Sequence, residues 1–275
     1  MSARASTETA TGDARLEVSV VGHSRARRGW TDVTAIVLVL LVVIAVWELA
    51  PRRGWISPVM LPPATEVMFA LRELATAPWF PAHVATTALE TVLGFILAAV
   101  IAIGLATVMH LSPAVRRVLY PYAIAFKLVP AVVLAPVFVV WFGFGIAPKV
   151  LVAASIAFFV IFVSTLAGFD SVGDDWRRLM RALGASRLQL FRMVVLRSAL
   201  PYIFAGMRTG ITLALVGALV AEFIQSRRGL GSLLIEFGYA FQQDFLFATI
   251  VVVTLMGLVF FAAIVAVERR MLWWR

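Results

Sequence analysis

The chain has no cysteine, which excludes a disulfide framework, thiol chemistry and cysteine-ligated metals. Its three histidines, His23, His83 and His110, are scattered without metal-ligand spacing, so no metal site is expected. Charge is scarce as well: 14% of residues are charged, against about 25% in an ordinary soluble domain. Neither lysine, Lys127 or Lys149, follows a glycine. The phosphate-cradling Gly-x-x-x-x-Gly-Lys-Ser/Thr loop is therefore missing, and the chain is expected to bind no cofactor itself. No Cys/His/Asp or Ser/His/Asp constellation is placed at a membrane surface, which makes a membrane-embedded enzyme the weakest reading.

What is present is apolar. Of 275 residues, 62% are hydrophobic, and the mean hydropathy is +0.96. This is the composition of an integral membrane protein. The net charge of +9 then points to basic loops facing the cytoplasm rather than to nucleic acid.

Residues 1–31 are polar and basic and read as a disordered tail. Val33 to Ala50 is just long enough to cross a bilayer. A cleaved signal peptide fits that run poorly, because it ends in Trp47, Glu48 and Pro51 with no small-residue cleavage site. A proline-rich stretch to Pro81 follows; its amphipathic piece, Ala64 to Ala75, is expected along the outer surface. Further spans are predicted at 82–110, 119–142, 150–169, 202–224 and 245–267. The third is interrupted by Pro121, Pro130 and Pro136. The stretch 225–244 reads as an outer loop with a short helix. These boundaries give an all-α protein with six transmembrane helices over 32–270 and a short tail at 271–275.

One charged segment stands apart, Asp174 to Pro201. Trp176, Leu179, Met180 and Leu183 recur at i, i+3, i+4 and i+7, one face of a helix, with Arg177, Arg178 and Arg181 opposite. Gly184 ends that helix, and a second pattern restarts until Pro201 opens the next apolar run. Two readings fit: a knob seated in a partner's groove, or an interfacial helix on lipid headgroups. With both termini inside, sixteen basic residues fall on the cytoplasmic side and six outside. That ratio favours cytoplasmic termini and a cytoplasmic 170–201 loop.

Such a loop between spans four and five resembles the coupling loop of ABC importer permeases. Gly184-Ala185-Ser186-Arg187, Ala199-Leu200-Pro201, Gly206-Met207-Arg208 and Ala221-Glu222-Phe223 match that family's pattern. Arg178-Leu179-Met180 stand where it has Glu-Ala-Ala, and Arg197 where many members have proline. Val129-Pro130, Ala135-Pro136, Trp141-Phe142-Gly143-Phe144-Gly145 and Arg228-Gly229-Leu230-Gly231 look like the nitrate/sulfonate/taurine branch. The resemblance implies a type I permease fold in a bacterial cytoplasmic (inner) membrane. It also implies a second permease copy, two ATPase subunits carrying ATP and Mg, and an extracytoplasmic substrate-binding protein. The ATPase-coupling residues would be Trp176, Arg177, Arg178, Leu179, Met180, Arg181, Leu183, Gly184, Ala185 and Ser186.

For the translocation pathway the candidates are Lys127, Pro130, Thr209, Thr212 and Glu222. A lysine deep in a span costs about 2.5–3.5 kcal/mol on insertion scales. Lys127 should therefore face a water-filled path for an anionic or polar solute, or pair with Glu90. Glu222 is expected to pair with Arg227 or Arg228, or to act at an external gate. Gly206 and Gly210 read as a close-packing pair, and Trp141 as an interfacial anchor. The competing function is an ion-gradient-driven secondary transporter, but no internal repeat accompanies the six spans.

Overall fold

A computed structural model describes residues 30–225 and 227–273. The expected basic tail thus lies almost wholly outside the described residues. All elements among them are helical. The chain divides into a short unit ending at Ala45 and a larger one beginning at Val46. In the first, the described residues open helix α1, Trp30–Arg52. Its apolar side chains from Val37 to Ile44 are exposed.

The second unit holds α2 (Ala64–Thr76), α3 (Phe80–Leu111), α4 (Pro113–Leu128), α5 (Ala131–Phe142) and α6 (Ile146–Asp170). They are followed by α7 (Asp174–Ala182), α8 (Arg187–Leu190), a π-turn at Phe191–Val195, α9 (Leu196–Gln225), α10 (Leu230–Tyr239) and α11 (Gln243–Met271). Four helices among the described residues are long and apolar enough to cross a membrane: α3, α6, the run Arg187–Ile224, and α11. The pair α4 and α5 makes a fifth if the two count as one crossing.

Helix α6 packs along both α9 and α3. In lipid no hydrophobic gain drives such pairing, so close approach through small residues must supply it. Ala98, Ala102 and Ala106 line the buried face of α3, Ala153 and Ala157 that of α6, and Ala214, Ala218 and Ala221 that of α9. At the tightest crossing a Cβ on Gly94 would lie 2.5 Å from the Ala153 Cβ, and one on Gly217 2.6 Å from the Ala153 Cα. Gly206 and Gly210 meet Ser164 and Ile161 of α6 in the same way.

The expected third span is not one helix. Helices α4 and α5 meet at 98°. Pro130 lacks an N–H and disfavours α-geometry in the residue before it, and Val129 is accordingly extended (φ −77°, ψ 117°). The start of the fifth span also needs correction. Pro201 lies inside α9 rather than at its head. The helix carries through it while Ala199 stays packed on Gly168 of α6.

Candidate functional site

Three features concentrate the polar chemistry of the molecule. The first is the helix-turn at α7. Asp174 and Asp175 occupy its first turn and Arg181 its last, matching the helix dipole at both ends. Gly184 adopts φ +72°. Its N–H donates to the Arg181 carbonyl at 3.0 Å, and that of Ala185 to the Met180 carbonyl at 3.0 Å. These two bonds are a Schellman stop, which needs a left-handed residue where glycine sits. Ser186 then caps α8: its hydroxyl accepts from the Gln189 N–H at 3.3 Å, while the Gln189 side chain accepts from the Ser186 N–H at 2.7 Å. On α7 and its C-cap, Trp176, Leu179 and Leu183 are 59%, 49% and 72% exposed. Met180 is half-buried, and Arg178 is exposed. Arg177 turns the other way, its Nη2 donating to the Phe169 carbonyl at 3.4 Å.

The second feature is a cavity of about 500 Å³ beside the α4–α5 break. Lys127, Pro130, Ser155, Phe159, Ser164 and Leu213 are among its walls. The Lys127 Nζ stands 4.8 Å from the centre of the Phe159 ring, within cation–π range. The break places the cavity, because residues 128–131 turn away from the helix path.

The third is a buried polar cluster joining α3, α6, α9 and α10. The Lys149 Nζ donates to Glu90 Oε1 at 2.5 Å, with residue exposures of 7% and 1%. Glu222, also 1% exposed, accepts from the Thr87 hydroxyl at 2.7 Å and from the Gly231 N–H at 2.5 Å. Thr87 Oγ1 accepts from the Leu230 N–H at 2.8 Å, and the Gly229 N–H donates to His83 Nδ1 at 3.2 Å. The first N–H groups of a helix have no partner within it. Here three side chains of α3 and α9 satisfy those at the head of α10. A Cβ on Gly229 would overlap the Glu222 carboxylate, so glycine is required there.

Residues 90–273 match the family described as "Binding-protein-dependent transport system inner membrane component". The chain belongs to that family. The formylaminopyrimidine transport permease protein of Halalkalibacterium halodurans is 33% identical over 238 residues, covering 86% of this permease and 94% of that protein. The taurine transport system permease protein of Escherichia coli K12 is 32% identical over 262 residues, 92% and 95% of the two chains. The solved MetNI methionine ABC transporter superposes with a TM-score of 0.60 at 16% identity, covering 68% of this chain and 94% of that one. That likeness speaks for the fold.

The permease brings two of its five pathway candidates together, Lys127 and Pro130. The other three lie off that cavity. Thr209 and Thr212 are exposed on α9, their hydroxyls bonded to the Ala205 and Arg208 carbonyls. Glu222 is sealed in the α10 cluster, where it accepts from the Gly231 N–H. The expected partner of Glu90 also changes. Lys127 does not reach it; Lys149, expected in an outer loop, is buried in the first turn of α6 and pairs with it instead. A lysine one turn inside an apolar helix reads as a loop residue only while that helix is placed too late.

Two further partnerships were missed. Arg208 Nη2 donates to Glu268 Oε1 at 2.8 Å, tying α9 to α11. Asp170 is held bidentately by Arg116 at 2.8 and 2.7 Å. The isolated charge of Arg208 within a span was the available signal for the first. The second joins residues far apart in the chain and leaves no local pattern.

Proposed function

We propose that this chain is half of the translocation path of an ATP-driven importer, coupled to its motor through α7. The observation that carries this reading is the exposed row Trp176, Leu179 and Leu183 on a helix ended by a fixed glycine turn. Exposed apolar side chains on a short polar helix fit a groove in a soluble protein. Arg178 and Arg181 on the other face of the same helix suit acidic partners around the groove. The motor is a pair of separate ATPase chains holding ATP and Mg. A second copy of this permease completes the path, and an extracytoplasmic binding protein delivers the solute.

In this reading α1 is the sixth crossing, both termini are cytoplasmic, and residues 32–270 form the permease domain in a bacterial inner membrane. The solute is small and anionic or polar, of the class of sulfonates or nitrate. Lys127 faces a cavity that also offers the Ser155 and Ser164 side chains, and the names of the relatives include a taurine permease. Purified chain should bring down an ATPase, and vesicles holding both, with the binding protein outside, should accumulate taurine only with ATP inside. Accumulation driven by an ion gradient without ATP would make the protein a secondary carrier and end this reading.

A further inference from the structure

Behind α7, on the side away from the exposed apolar row, lies a hollow of about 220 Å³. His110, Arg177, Arg187 and the apolar residues Leu111, Leu190 and Phe191 are among its walls. It is smaller than a drug-sized pocket and strongly basic. No ion pair among the described residues neutralises its arginines. Asp170, beside His110 at 3.9 Å from its Nδ1, is already engaged by both arms of Arg116. Asp174 and Asp175 do not line the hollow and form no ion pair with Arg177 or Arg187. The Nε of Arg177 is buried with no acceptor among the described residues. A buried guanidinium N–H without a partner is rare, and such a group calls for an anionic one.

We propose that this hollow is an oxyanion site for a phosphate group, held between Arg177 and Arg187 with His110 at its side. The planar guanidinium fork matches the oxygens of phosphate better than a point charge would. Leu111, Leu190 and Phe191 accommodate whatever apolar carbon the phosphate carries. The group comes from solution or from the headgroup of an anionic lipid; the chemistry at the arginines is the same. Because Arg177 faces the bundle while Trp176, Leu179 and Leu183 face outward, occupancy clamps α7 and α8 to the end of α3. The site is independent of which solute is transported.

The test uses the full-length chain purified in detergent, titrated with sodium phosphate at ionic strength held constant with chloride, and read by thermal unfolding. Wild type should show saturable stabilisation. R177Q and R187Q should each weaken the apparent phosphate affinity at least tenfold, about 1.4 kcal/mol. R192Q, an exposed arginine outside the hollow, should match wild type. Arg187 is exposed and makes no ion pair among the described residues, so R187Q keeps the test valid if R177Q does not fold. In a second arm, nanodiscs of phosphatidylglycerol are compared with phosphatidylcholine. Stabilisation that appears only with phosphatidylglycerol and is lost in R187Q assigns the phosphate to lipid. If R187Q and R192Q respond as wild type does in both arms, the proposal is wrong.

Discussion

Removing Lys149 should unsettle the bundle more than any other single charge change. Its Nζ sits 2.5 Å from Glu90 Oε1, with side chains 8% and 1% exposed. At an effective dielectric of about 20 that separation gives roughly 6–7 kcal/mol of gross attraction, most of it offset by the desolvation of both ions. In Lys149→Met the desolvation of Glu90 remains and the attraction is gone. The Glu90 Oε2 already has no partner among the described residues. A loss of about 3–5 kcal/mol is expected, the usual result of orphaning one member of a buried pair. The double variant K149M/E90L, apolar at both positions, should recover most of it. Lys149 makes other interactions too, and a double-mutant cycle cancels them, leaving a coupling of at least about 2–3 kcal/mol between the two charges. Reversible unfolding of the purified protein in mixed micelles measures all four species. The reasoning fails if K149M lies within about 0.5 kcal/mol of wild type, or if the cycle closes without coupling.

Gly184→Val forces a β-branched residue into left-handed geometry at about 1–2 kcal/mol or more. It should abolish ATP-driven uptake while membrane insertion, followed by fractionation, is unchanged; normal uptake would remove the coupling role from this turn. Lys127→Met leaves the helices intact and should raise the taurine concentration for half-maximal uptake several-fold. Unaltered uptake kinetics would make Lys127 structural. Thr87→Val takes away the acceptor for the Leu230 N–H and the donor to Glu222 together, costing about 2 kcal/mol at about 1 kcal/mol per bond. Amide exchange across 230–239 should accelerate in T87V and stay near wild type in T87S, and equal exchange in both variants would break the assigned capping.

Much of this was legible in the sequence because the relevant physics is local. Hydropathy over twenty residues finds α3, α6, α9 and α11, since the bilayer demands that length of each crossing helix. The i, i+3, i+4, i+7 spacing of Trp176 to Leu183 and the glycine behind it define α7 and its stop, because both the apolar face and the left-handed turn arise within a dozen residues. The proline triplet in span three announced a break but not its place: Pro121 and Pro136 are carried within helices, and only Pro130 separates two. Which proline ends a helix depends on whether neighbours can satisfy the freed carbonyls.

Which charges meet was decided by tertiary structure alone. Glu90 and Lys149 are 59 residues apart, Thr87 and Glu222 135 apart, and Arg208 and Glu268 60 apart. No periodicity spans such distances. The sequence by itself settled that the chain is a membrane permease and where its long apolar helices α3, α6, α9 and α11 run, to within a turn or two. Partner choice among buried ions follows from rotation of one helix against the next, set here by small residues such as Gly94 and Gly217 closing on Ala153. In a medium without water, an ion must find whatever counter-charge that packing brings within reach.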